Sequence, residues 1–491
     1  MSKKNHYSKL YLLFAPLRSL VKLIWQIFIL FALSGFFGKD RDYLSKPHFW
    51  LFILLASLGI FLLTVGYHVA CYLTQTYELT EDALIFRKGI FVKQEIIVPY
   101  ERMQTIKKNQ WFYMVPFGLV RLMVETAAHS GKEAEVDLPL VPYALYDELE
   151  ARRRDETLMK PKEKTRQPDF SLSSKDLLTF ALTELSLLAP VFLMLGALEF
   201  IPDSLQDRLL GNFSHMIILT AVAFFCIAYL LTAIFMVLKT VLKYANFQIF
   251  QEGTGTLRIE YGLLEQKSQV IPMSKIQGVR IKQNIFRIFL GLVSVDLLIA
   301  GGQEKQEGEQ QSLTDHPVFI PVTKASEVED YLTRFLPDFD FQVSLKEMQQ
   351  LRLWYFSRFK FLIIVIPLGA YFVFHFAIWQ LALAIALLAT LSLGYAYYQS
   401  KSQAYGMNER FIVFRDVRLL ERIQTILPRK NIQSLEMRTS RWLYPKQLGH
   451  CKLNVKAGDD EFHTELNYLP LADIEQMIHF YRKNASPDNT K

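Results

Sequence analysis

Residues 361–400 contain no Asp, Glu, Lys or Arg. A membrane-spanning helix needs about 20 mostly apolar residues, so this run is too long for one ordinary crossing and suits two. His375, Trp379 and Gln380 mark its middle, which predicts a tight hairpin of two helices. The same pairing occurs twice earlier, as residues 23–38 with 49–73 and residues 177–201 with 213–238. The chain is therefore expected to cross a bilayer six times, in three hairpins.

Composition agrees with that expectation. Hydrophobic residues make up 51% of the chain and charged residues only 21%, with 38 Phe. The net charge of +7 is modest and spread along the chain. That excludes a dedicated nucleic-acid binder and suits a protein facing an anionic phospholipid bilayer. Cys71 and Cys226 lie in apolar runs, and Cys451 stands apart. No pair has metal-site spacing and three cysteines suggest no disulfide framework, so the soluble parts read as cytoplasmic. Lys3, Lys4, Lys9, Arg18 and Lys22 flank the first run. Under the positive-inside rule they place the N-terminus in the cytoplasm. A second run follows at once with no small-residue cleavage site, so an uncleaved helix is expected. The loop at 201–212 (Asp203, Asp207 and one Arg208) fits the outside; the first loop (Lys39, Arg41, Lys46) fits it less well.

Each hairpin is followed by a polar unit that repeats. VPYERMQ, IPMSKIQ and LPRKNIQ place Pro99, Pro272 and Pro428 five residues before Gln104, Gln277 and Gln433. Gly89 and Gly262 stand ten residues before their Pro and read as hairpin turns; Arg418 holds that place in the third copy, where Asp416 is expected to make the turn. Gly118 and Gly291 follow their Gln by 14 residues and Gly449 by 16, read as a two-residue insertion. Strand-like runs come next (LVRLMVET, LVSVDLLIA, HCKLNVKA). Pro-led segments with three- and four-residue apolar spacing then predict one closing helix per unit. Curling a short sheet and capping it with a helix hides its edges and its apolar face.

This pattern resembles the bacterial pleckstrin-homology (PH) domain of the membrane-associated type. The whole chain, from about residue 20 to 483, resembles the YdbT-like membrane proteins of Bacillus and related bacteria. The resemblance implies an α+β integral membrane protein of six transmembrane helices in three hairpins, each followed by a PH-like, partly open β-barrel capped by a C-terminal helix. The expected divisions are an N-terminal segment with hairpin 1 (1–74), PH-like domain 1 (75–155), a linker (156–176), hairpin 2 (177–242), domain 2 (243–340), a linker (341–360), hairpin 3 (361–400), domain 3 (401–484) and a disordered tail (485–491). It also implies a role in envelope stress, as defence against membrane-active agents. The partner it implies is a smaller two-helix protein with one such domain.

Basic residues gather around the repeated strand: Lys107 and Lys108 in the first unit, Lys275, Arg280, Lys282 and Arg287 in the second, Arg429, Lys430, Arg438 and Arg441 in the third. Aromatic and aliphatic residues follow them, including Trp111 and Trp442. A basic rim beside an apolar tip suits the headgroup layer; the competing reading makes the same residues core plugs and solvated charges. Glu184, inside the third apolar run, is an intramembrane polar candidate or an interfacial residue. No Walker loop, HExxH, GxSxG or carboxylate cluster appears, and His450, Cys451 and His463 fit no zinc template. No cofactor and no metal are expected. The reading is a non-enzymatic scaffold or sensor at the inner leaflet, with a transporter or flippase as the alternative.

Overall fold

The computed structural model describes residues 4–17, 19–20, 47–126, 136–153, 167–188, 215–252, 255–300, 317–347, 352–358, 360, 367, 378–457 and 460–482. The expected span 23–38, the loops at 201–212 and 301–316, the first helix of the third hairpin, much of the 156–176 linker and the 485–491 tail lie outside them.

Two compact units form, Met1–Pro272 and Met273–Lys491. The first runs through α1 (Pro47–Thr74), β1 (Thr76–Leu79), β2 (Ala83–Lys88), β3 (Gln94–Pro99), β4 (Met103–Trp111), β5 (Leu119–Thr126), β6 (Val136–Pro142), α2 (Tyr143–Arg153), β7 (Phe170–Ser171), α3 (Ser174–Leu182), α4 (His215–Tyr244), β8 (Gln248–Glu252), β9 (Thr256–Tyr261) and β10 (Glu265–Pro272). The second runs through β11 (Ile276–Asn284), α5 (Ile285–Leu290), β12 (Leu292–Ile299), β13 (Val318–Lys324), α6 (Val328–Phe335), β14 (Lys346–Glu347), α7 (Leu353–Ser357), α8 (Ile378–Ser402), β15 (Ala404–Met407), β16 (Phe411–Arg418), β17 (Glu421–Pro428), β18 (Ile432–Arg438), β19 (Leu448–Ala457), β20 (Asp460–Pro470) and α9 (Leu471–Arg482).

Among the described residues three helices are long and apolar enough to cross a membrane, through Leu55–Thr74, Phe225–Tyr244 and Ile378–Ser402. They are the second members of the three expected pairs. Leu62 and Leu63 on α1, Leu231 and Phe235 on α4, and Leu383 and Leu387 on α8 all point outward. Water would charge about 25 cal/mol for each Å2 of such surface, and lipid does not. Of the third expected span, 177–201, residues 189–201 lie outside the described residues; within the described part α3 stops at Leu182. The Thr183 hydroxyl donates to the carbonyls of Thr179 (2.8 Å) and Phe180 (3.1 Å). A 3-10 turn over Leu185–Leu188 follows. The repeat also begins earlier than expected. A short extended segment pairs with the first strand of each module, as Asn5 on Tyr77, β7 on β8 and β14 on β15. A short helix follows each, at residues 11–17, α3 and α7.

The Pro-to-Gln motif ends one strand and starts the next across a single 3-10 turn, at Tyr100–Arg102, Met273–Lys275 and Arg429–Asn431. In all three copies the register of the following strand slips by one at the Gln, between Met103 and Thr105, Ile276 and Gly278, Ile432 and Ser434. The repeated Gln is a β-bulge residue, and the bulge bends the strand out of the preceding sheet.

The barrels expected from the resemblance do not close among the described strands. In the first unit β1–β2–β3 form one antiparallel sheet, and a seven-stranded sheet runs β6–β5–β4–β10–β9–β8–β7. In the second, the order β13–β12–β11–β17–β16–β15–β14 is joined by a sheet β18–β19–β20. Two sheets face each other over each complete core. Leu84, Phe86 and Val98 meet Ile106, Leu122 and Leu138 under Leu145, Tyr146 and Leu149 of α2. Ile412 and Phe414 meet Leu453, Val455 and Leu466 under Ile474 and Met477 of α9. The pairs β4–β10 and β11–β17 carry hydrogen bonding from one module into the next.

Two turn expectations in the third module are corrected. Asp416 lies buried inside β16, and the turn falls at Leu419–Leu420, where Leu419 has φ 53°. No insertion precedes Gly449: Gln447 caps a 3-10 turn at φ 54°, the same 14 residues after its Gln as Gly118 and Gly291, at φ 59° and 66°. Gly449 sits in β19 instead, where a Cβ would come within 3.0 Å of Ile474 and Leu471. Nearby, burial pushes the Cys451 thiol up to about 12. Because the thiolate is the reactive form, Cys451 is expected to resist maleimide at pH 8 in the folded protein and to react on denaturation. Labelling read by peptide mass spectrometry checks this.

Candidate membrane-facing site

Each module presents two apolar tips. One is the hairpin between its second and third strands. It exposes Phe91 (97% accessible) and Val92 in the first module, Leu263 and Leu264 in the second, Leu419 in the third. The other connects the fourth and fifth strands. It exposes Phe112, Val115 and Phe117, then Phe289 (84%) and Leu290, then Trp442 (81%) and Tyr444. Isolated exposed apolar residues are ordinary, but the same two places in three modules form a pattern.

The hairpin tip of the second module sits where an apolar helix ends. The last carbonyls of a helix lack intrahelical partners. At the end of α4, the Leu263 N–H donates to the Leu242 carbonyl at 3.0 Å, and the Gly262 N–H to Ala245 just beyond at 2.7 Å. The Phe112 N–H then donates to the Leu264 carbonyl at 2.7 Å, joining the two kinds of tip side by side. In the second unit the Arg415 Nε donates to the Ser402 carbonyl at the end of α8 at 3.0 Å. Leu443 packs with Phe356 of α7 and Ala396 of α8. In the first module the Phe14 ring packs tilted against Tyr113 and Phe117, with ring centroids 4.8 and 6.3 Å apart.

The basic residues divide into two groups. Lys107 and Lys108 are buried, the latter with its Nζ over the rings of Tyr143 (4.7 Å) and Tyr146 (5.1 Å). Arg280 is buried over Phe462 at 4.9 Å, Lys282 pairs with Asp296 at 2.6 Å, and the buried Arg287 guanidinium donates to the Ser294 hydroxyl. Arg429 lies over Phe480 at 5.1 Å, and Lys275 is half-buried. Trp111 is half-buried and stacks on Tyr113, while Lys430, Arg438, Arg441 and Trp442 are exposed. Glu184 follows the end of α3, half-buried, and its carbonyl accepts the Leu187 N–H at 3.2 Å.

In the third module Arg438 and Trp442 line a cleft of about 730 Å3 with Thr439, Ser440, Leu443, His450, Tyr468 and Arg358. Arg438 donates to Glu436 at 2.6 Å, and this hydrogen bond holds the Glu436 carboxyl below its ordinary range. Arg358, which the sequence reading missed, lies over the rings of Tyr355 and Tyr468. Its one signal in the sequence is its place just before the third apolar run. Two guanidinium groups, three hydroxyls and an indole suit an anionic headgroup with an apolar tail beside it.

The bacterial PH domain matches this chain three times, over residues 27–157, 195–336 and 361–485. The chain belongs to the bacterial PH domain family. Each matched stretch takes in apolar sequence ahead of the sheets, so in this bacterial PH protein membrane segment and module recur together. The UPF0699 transmembrane protein YdbT of Bacillus subtilis (strain 168) is 27% identical over 414 residues, 78% of this chain and 80% of that one. This is a membrane protein with repeated bacterial PH domains.

Proposed function

We propose that this protein is a non-enzymatic, membrane-embedded scaffold whose bacterial PH modules rest their apolar tips in the headgroup layer of the inner leaflet. Six crossings and cytoplasmic modules belong to this reading, as does envelope defence against membrane-active agents. The observation that carries it is the capping of α4 by the Gly262–Leu263 hairpin. An apolar helix end and the exposed leucines of the tip are tied by backbone hydrogen bonds, so the tip stands at the depth where the helix leaves the bilayer. Leu419 supports the same reading. A left-handed backbone costs a leucine roughly 1–2 kcal/mol, yet an exposed leucine occupies that turn where a glycine would be unstrained. Local strain of this kind gathers at functional positions.

A Phe289→Cys protein carrying an environment-sensitive fluorophore and reconstituted into liposomes tests the proposal. The emission is expected to shift to the blue and to be quenched by headgroup-level nitroxide lipids. Water-like emission without quenching rejects the reading. For the cleft, an Arg358→Gln/Arg438→Gln protein is expected to retain fewer anionic lipids after detergent extraction than the parent, measured by native mass spectrometry.

A further inference from the structure

Among the described residues, two strands, one in the first module and one in the third, lack the neighbour that their counterparts possess. The third strand of the second module, β10, pairs with the fourth strand of the first, β4. The third strand of the third module, β17, pairs with the fourth strand of the second, β11. Both pairs are antiparallel and share one register. Counted from the repeated proline, the residue three before it faces the residue eight after the previous proline: Gln269 faces Lys107, and Thr425 faces Arg280. At the far end of each pair Glu265 faces Trp111, and Glu421 faces Asn284.

Among the described residues β3 is the edge of its sheet, with only β2 beside it, and β18 is an edge with only β19 beside it. The side chains record the difference. Ile97, two before its proline, is 59% exposed, whereas Val270 and Ile426 at that position are 0% and 1% exposed. Leu435, seven after its proline, is half-buried, whereas Ile106 and Val279 are buried. An open edge with exposed apolar side chains is a template for another strand.

We infer that β18 of one copy of this chain pairs with β3 of a second copy, in the register of the two internal junctions. The described residues leave one free edge of each kind, and each fits the other. The shared register puts Leu435 opposite Ile97 and Met437 opposite Glu95. The contact is the internal junction made between chains. It is heterologous, so copies assemble head to tail into a ring where the rotation closes and an open row where it does not.

The test uses the full chain in proteoliposomes, with Cys71, Cys226 and Cys451 replaced by alanine. Copies bearing Glu95→Cys and copies bearing Met437→Cys, with different tags, are mixed and mildly oxidised. A disulfide between unlike copies is expected at more than ten times the yield of a Glu95→Cys/Gln433→Cys pair, which the register separates by four residues. Mass photometry of the parent chain in detergent is expected to show oligomers. Ile97→Lys and Met437→Lys, which attack opposite edges, are each expected to shift them towards monomer. A parent chain that stays monomeric and forms no such disulfide overturns the inference. So does equal cross-linking at both pairs, a disulfide between like copies only, or occupation of β18 by a smaller bacterial PH protein in place of a second copy.

Discussion

Replacing Asp296 with alanine is expected to destabilise the second unit by about 3–5 kcal/mol, the cost of removing one partner from a buried ion pair. Asp296 is buried on β12, opposite Arg280 on β11, and accepts from Lys282 at 2.6 Å. Burial pulls the Arg280 guanidinium below its ordinary pKa, and the Asp296 carboxylate is the first influence that pushes it back up. Without that carboxylate Arg280 stays buried beside a lost counter-charge. Asp296→Asn keeps the shape and is expected to cost most of the same amount, which separates charge from packing. Thermal unfolding of the detergent-solubilised protein measures both. The cluster lies on the junction strand β11, so a variant that unfolds is expected to expose β17 to protease as well.

The same cluster predicts a pH dependence. Burial raises the Asp416 carboxyl above its ordinary 3.8, against the pull of Arg418 and Arg280. A raised acid holds its proton more tightly folded than unfolded. Its contribution is therefore complete below the ordinary value and is lost as pH rises through the raised one. Asp416→Asn is expected to flatten the fall in stability over that window. An unchanged slope of melting temperature against pH would remove Asp416 from the account.

Gly262→Ala is expected to have the second large effect, about 3 kcal/mol of strain. At φ 108° a Cβ would lie 2.0 Å from the Glu265 carbonyl oxygen, and that oxygen is backbone. The hairpin must therefore deform, and it is the hairpin that caps α4. A fluorophore on Leu264→Cys is expected to lose its lipid-like emission in the Gly262→Ala background. Leu419→Gly works in the opposite sense. It relieves a left-handed leucine at φ 53° and is expected to stabilise the third module by about 1 kcal/mol while weakening its membrane contact.

Much of the architecture is written in local pattern. Charge-free runs are long enough to announce bilayer crossings without any knowledge of what they touch, because lipid imposes its demand on the run itself. The three proline-to-glutamine motifs were readable because each encodes a strand end, a turn and a bulge within seven residues. Gln447 lies outside that pattern: a left-handed position favours glycine, yet a solvated turn tolerates a glutamine there. The end of α3 at Leu182 lies outside it too, because the apolar run around it points onward.

Other features depend on residues far apart in sequence. The cations near the repeated strand look alike on paper. Only the folded sheets turn Lys107, Lys108, Arg280 and Arg287 inward and leave Lys430, Arg438 and Arg441 outside. The cleft needs Arg358, 80 residues ahead of Arg438, to meet it across a turn. Strand continuity between modules is likewise invisible locally, because alternation names the faces of a strand and says nothing of its edges. Apolar length and repeated turns thus belong to the sequence, whose physics acts within a few residues. Edge pairing and the burial of charge belong to the tertiary structure, since hydrogen bonding and desolvation are settled by whichever groups the fold brings together.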